Sequence, residues 1–124
     1  MGRGLRTEGH EFRSKCSISR TLELLGDKWT LLIVRDLMWH GKHTFQALQG
    51  SAEEIPTNIL ADRLRRLGDW GLVRREQYQD RPPRFEYHLT EAGKTLEPTL
   101  IQIMRWGHQQ LDGGLNTRVL RGRT

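Results

Sequence analysis

Cysteine occurs once in this sequence, proline four times, and aromatic side chains make up only 7% of it. The lone Cys16 excludes an intrachain disulfide and any zinc site built on a cysteine pair, as suits a reducing compartment. No apolar run approaches the roughly 18 residues that a bilayer span needs, and residues 1–13 lack the apolar centre of a signal peptide. The expected location is therefore the cytoplasm, with no membrane partner. Five histidines are scattered along the chain, and only His40 and His43 are near neighbours. With no cysteine or carboxylate beside that pair, no metal is expected. A glycine-rich phosphate loop and a nucleophile with an evident base are also missing, so neither catalysis nor a cofactor is expected.

Basic charge is what the chain has in excess. Its formal charge is +5 and its pI is near 10, and 16 of its 20 basic residues are Arg. Arg favours planar, two-pronged contact with phosphate or guanine, so an anionic partner follows. The plainer alternative is that the charge only keeps the protein soluble. At 124 residues there is material for one small core.

The pattern predicts a basic, flexible arm over residues 1–15, carrying Arg3, Arg6, Arg13 and Lys15, a folded domain over 16–111, and a flexible tail over 112–124. Ile18, Thr21, Leu22 and Leu25 have helical spacing up to Gly26. Asp27 can cap a second helix, apolar on most sides and suited to the centre of the core. Thr44 caps a short helix that Gly50 closes, and Pro56 holds Ile55 extended, so the next helix starts at or just after Pro56 with Thr57 as a candidate cap. In that helix Leu60, Leu64 and Leu67 fall on one stripe that must be buried. Asn58, Asp62, Arg65 and Asp69 lie on the opposite side, flanked by Ala61 and Arg66. Helix, turn and helix in this order form a helix-turn-helix, in which the second member reads a DNA major groove.

Two alternating stretches, 72–78 and 85–89, predict a β-hairpin with a basic turn at 79–84 whose prolines stay out of the ladder. Thr90 is the expected cap of a last helix, running to about Leu111 with Pro98 as a candidate kink. Leu96, Leu100, Ile103, Gly107 and Leu111 form one stripe on it, while Ile101, Met104 and Trp106 lie off the stripe. Two apolar faces on a terminal helix suggest a partner subunit. The fold class expected is mainly α with a small β-hairpin, a winged helix-turn-helix.

Each candidate contact has a plainer counterpart. Arg65 either pairs with guanine or serves phosphate and solvent. Asn58 suits adenine or a phosphate oxygen, or else a local turn bond. Asp62 either accepts from cytosine or neutralises Arg65 or Arg66, and the intrahelical pairing is favoured. Lys42 and Thr44 are candidate phosphate contacts. Arg81 and Arg84 flank the hairpin prolines, where they reach phosphate or a minor groove, or merely protect a sheet edge. Arg74 and Arg75 alternate along a strand, so at most one faces a duplex. Trp29, Trp39, Trp70 and Trp106 are expected as core and interface anchors.

Several segments together resemble the HxlR-type winged helix-turn-helix regulators of bacteria, whose architecture is MarR-like. They are Cys16 ahead of the first helix, Leu25-Gly-Asp-Lys-Trp-Thr-Leu-Leu-Ile33, residues 45–48, Ile59-Leu-Ala-Asp-Arg-Leu-Arg-Arg-Leu67 with Gly71-Leu-Val73, and Pro82-Pro-Arg-Phe-Glu-Tyr-His-Leu-Thr-Glu-Ala-Gly-Lys94. Pro56 departs from the family's pattern. The resemblance implies a homodimer formed through the terminal helices, helical dimerisation elements at both ends, with Ile18 and Leu22 joining Leu100, Ile103, Met104, Trp106 and Leu111 at the interface. It also implies a near-palindromic double-stranded operator and repression or activation of a neighbouring gene. Some such regulators sense oxidants or electrophiles through a cysteine at the place of Cys16, so a small-molecule or oxidant effector is implied. The counterpart for Cys16 is a small buried apolar side chain. A winged-helix module that binds protein or RNA is the alternative function.

Overall fold

The computed structural model describes residues 4–122, so Arg3 of the expected arm and the last two residues of the expected tail lie outside it. The described residues divide into two compact units, one through Lys94 and one from Thr95 onward. In the first, α1 (Ser17–Leu25), α2 (Thr30–Trp39), α3 (Phe45–Gln49) and α4 (Thr57–Asp69) precede a hairpin of β1 (Val73–Asp80) and β2 (Pro83–Leu89) and the single turn α5 (Glu91–Lys94). The second holds α6 (Glu97–Leu111) and α7 (Thr117–Arg121). Among the described residues no helix is long and apolar enough to cross a membrane.

Apolar periodicity builds the first unit's core. Ile33, Val34 and Leu37 of α2, Leu48 of α3, and Leu60, Leu64 and Leu67 of α4 are all buried. Each leucine withdrawn from water contributes about 1.5–3 kcal/mol, enough to fix which side of α4 turns inward. Asp27 accepts from the N–H groups of Trp29 and Thr30, at 2.7 and 2.9 Å, and so caps the start of α2 from three residues ahead of it. The Thr44 hydroxyl accepts from Ala47 N–H at 3.1 Å and Gly50 ends α3, as the sequence predicts.

The hairpin is longer than its prolines suggest. Its register runs from Val73 opposite Leu89 to Asp80 opposite Pro83, so pairing reaches the tip and only Arg81 and Pro82 turn the chain. Pro83 enters because it occupies the first position of an edge strand, where no ladder donor is needed. An irregularity between Gln77 and Gln79 shifts the register near the tip. His43 accepts from Tyr87 N–H at 2.7 Å and donates from Nδ1 to the Tyr87 carbonyl at 2.9 Å, fastening the chain ahead of α3 to β2. Helix, turn, helix and hairpin make a winged helix-turn-helix.

Four expectations need correction. Residues 4–15 are not a free arm: Arg6 N–H donates to the Trp70 carbonyl at 2.9 Å, and Arg13 N–H donates to Glu23 at 2.9 Å. The His10 ring meets Trp70 and Phe12 edge-on, so an irregular strap crosses the end of α4, held by contacts that carry no periodicity. Pro98 sits in the first turn of α6 rather than kinking a longer helix, because a proline's missing N–H costs nothing there. Residues 112–122 are not frayed throughout. Asn116 caps α7 by accepting from Val119 N–H at 3.1 Å. Lastly, of the four tryptophans expected as core and interface anchors none lies in the fully buried core: Trp29, Trp39 and Trp70 are half-buried and Trp106 is exposed on α6.

Candidate nucleic-acid interface

Its buried leucines leave α4 with one outward face, and Asn58, Ala61 and Arg65 are exposed on it. Asp62 and Arg66 flank them, half-buried. At 1.5 Å per residue α4 is about 20 Å long, a length that a major groove accepts. Pro56 is the residue that precedes it, so Thr57 is the first helical residue and not its cap. The Thr57 hydroxyl instead accepts from Gln49 Nε2 at 2.5 Å, a tie between the end of α3 and the start of α4.

Charges on this face are already paired. Arg65 donates to Asp62 at 2.7 Å and to Asp69 at 3.2 Å, one turn behind and one turn ahead. Asp62 also takes Arg63 at 2.5 Å and stands 3.8 Å from Arg66, the intrahelical pairing expected of it. The Arg65 hydrogen bond holds the Asp62 carboxyl below its usual range. With 64% of its side chain exposed, Arg65 forms surface pairs that solvent and salt screen, which a guanine or phosphate can replace.

Arg81 and Arg84 are exposed at the hairpin tip, and among the described residues neither has a carboxylate within 4.0 Å. Arg84 shares a cleft of about 340 Å³ with Thr44, Gln46 and Gln49 of the α3 region. A second cleft, of about 460 Å³, has Ala61, Arg65 and Asp69 on one wall and Arg75 and Tyr87 on the other. Residues of α4, of the α3 region and of the hairpin thus line shared surfaces.

Lys42 does not join them. Its ammonium donates to Ser51 Oγ at 2.9 Å, and the Ser51 hydroxyl donates to Asp36, whose residue is only 2% exposed. Burial raises the Asp36 carboxyl, but hydrogen bonds from Arg35 and then Ser51 outweigh it and leave the acid below its usual range. This network was not anticipated, because α2 reads as apolar and its partners lie far along the chain. Arg63 was missed too: its Nε is 3.2 Å from Asp27, linking α4 to the start of α2.

Cys16 is exposed just ahead of α1, which removes the buried alternative for it. Ile18 and Leu22 are 72% and 59% exposed on α1. On α6, Leu100 and Ile101 are buried, Met104 is half-buried, and Ile103, Trp106 and Leu111 are exposed. Among the described residues no group of three or more His, Cys, Asp or Glu could hold a metal.

The model of the HxlR-like helix-turn-helix matches residues 24–114. An uncharacterized HTH-type transcriptional regulator of Mycobacterium tuberculosis is 41% identical over 102 residues, covering 82% of this chain and 63% of that protein, so the chain spans less than two thirds of its length. The uncharacterized HTH-type transcriptional regulator YybR of Bacillus subtilis is 36% identical over 97 residues, with 78% of this chain and 77% of that one covered. Among solved structures, the redox regulator HypR in its oxidized form superposes with a TM-score of 0.66 at 38% identity, covering 77% of this chain and 97% of that one. The chain belongs to the HxlR-like helix-turn-helix family.

Proposed function

We propose that the protein regulates transcription by binding double-stranded operator DNA as a homodimer in the cytoplasm. One observation carries this reading: α4 exposes Asn58, Ala61 and Arg65 on the face opposite its buried leucines, next to an arginine-tipped hairpin. In a two-fold dimer, equivalent helices about 34–36 Å apart meet successive major-groove faces, so a near-palindromic site follows. The exposed apolar residues of α1 and α6 supply surface for such a dimer. Gel shifts on duplex from the gene's own upstream region, across a salt series, test the reading. Saturable binding that weakens with salt is expected, with a dimer mass in sedimentation. Absence of binding at 50 mM salt, or a monomer bound to one half-site, would overturn it.

Redox or electrophile sensing through Cys16 is the finer part of the same proposal. Its support is an exposed thiol and the likeness to HypR, whose name is that of a redox regulator. One thiol per chain restricts the products to an intersubunit disulfide, an electrophile adduct or a mixed disulfide with a small thiol. Diamide or quinone treatment followed by intact mass and gel shift tests it. Unchanged mass together with unchanged DNA affinity removes the sensor.

A further inference from the structure

The hairpin separates two adjacent arginines into different surroundings. Arg74 is paired with Glu76 two residues along its own strand. Arg75 lies on the other face, opposite Tyr87 in the register, with its guanidinium 4.1 Å above the Phe85 ring. Among the described residues no carboxylate stands within 4.0 Å of Arg75. The Phe85 ring takes one side of the guanidinium, and among the described residues no hydrogen bond or ion pair claims its N–H donors. Those donors border the 460 Å³ cleft whose far wall is α4, with Ala61, Arg65 and Asp69.

We propose that Arg75 is a backbone clamp, and that this cleft seats a phosphate of the DNA strand running between α4 and the wing. The inference rests on the DNA-binding reading above. With α4 in a major groove, the sugar–phosphate ridge bordering that groove is what enters the space beside its Arg65–Asp69 side. The Arg fork suits a phosphate in two-pronged contact, and Asp69, its side chain 69% exposed, is free to turn to solvent when Arg65 exchanges partners. Phe85 holds the guanidinium in place before DNA arrives, so less side-chain freedom is lost on binding. Arg74 has no such part.

Salt titrations of Arg75→Ala, Arg75→Lys and Arg74→Ala separate the outcomes. A phosphate contact carries charge but no sequence information, so Arg75→Ala lowers the log–log salt slope by about 0.9 per bound chain. The affinity gap from the parent then shrinks about 3.5-fold per chain between 50 and 200 mM salt. Operator and random duplex weaken by the same factor. Arg75→Lys keeps the slope at reduced affinity, which a folding defect would not produce, and Arg74→Ala matches the parent. A binding parent whose slope is unchanged in Arg75→Ala overturns this assignment alone, as does a loss confined to one sequence. A parent that binds no duplex removes the DNA reading and the clamp together.

Discussion

Arg35 grips Glu53 through two hydrogen bonds, Nη1 to Oε2 at 2.9 Å and Nη2 to Oε1 at 2.8 Å. Its Nε donates to Asp36 at 2.9 Å, so one guanidinium fastens α2 to the turn that leads into α4. His40 Nδ1 donates to the same Asp36 oxygen at 2.8 Å, and the Ser51 hydroxyl donates to the other. A buried carboxylate thus joins α2 to the turn that precedes α4.

Removing that carboxylate is expected to be costly. Asp36→Ala leaves Arg35, His40 and Ser51 without their shared acceptor, a loss of about 3–5 kcal/mol for a broken buried pair. Glu53→Gln disturbs a partner whose side chain is 39% exposed, and about 1 kcal/mol or less is expected. Urea unfolding measures both. Equal losses in the two variants would show that burial of Asp36 does not set the cost.

Acid should act through Glu53 and through Asp27, the cap of α2. The Arg35 hydrogen bonds hold Glu53 at about 2 against an ordinary 4.5. At Asp27, burial pushes the carboxyl up, but bonds from Thr30 and from the backbone N–H groups of Trp29 and Thr30 prevail and bring it to about 2 from 3.8. Both folded values are depressed, so their stabilisation is complete above pH 4.5 and is lost as pH falls from there through 2. Melting temperature should fall across that window. Glu53→Gln should lower it at neutral pH yet flatten its acid dependence, and a variant as steep as the parent would contradict the assignment.

The strap over the end of α4 makes a separate prediction. Gly71 has φ +82°, and a Cβ there would stand 2.5 Å from the Gly4 carbonyl oxygen. Gly71→Ala therefore meets both backbone strain of about 1–3 kcal/mol and a clash with the strap. Gly9, at φ +81°, has open space around its Cβ position and meets the strain alone. Trypsin should cut at Arg6 and Arg13 faster in Gly71→Ala than in Gly9→Ala. Equal cleavage would mean that the strap does not depend on close approach to Gly71.

These residues show where the sequence speaks and where it is silent. The α4 leucine stripe, the Thr44 cap and the Asp62 pairing were legible because each depends on neighbours three or four positions away. Asp36 was hidden among apolar residues, and its partner Ser51, like Arg35's partner Glu53, comes from a distant turn. The strap was illegible because backbone bonds and ring edges leave no repeating pattern. Strand alternation allowed one of Arg74 and Arg75 to face a duplex, but the choice needed the register and the Phe85 contact.

Arg65 carries the last prediction. In the free protein its guanidinium is shared between Asp62 and Asp69, so contact with guanine requires an exchange of partners. Because the pairs are exposed the exchange costs little, and the gain is about 1–3 kcal/mol of discrimination for the right base. Arg65→Ala should thus weaken operator binding by about 5- to 150-fold per bound chain while affecting random duplex far less. Asp62→Ala should act in the opposite sense on random duplex, raising its affinity by removing a negative charge from the contacting face, and should narrow the gap between specific and random sites. Competition gel shifts with both duplexes read the two ratios. Should Arg65→Ala lower both affinities by one factor, Arg65 contacts phosphate, and base reading on α4 falls to Asn58.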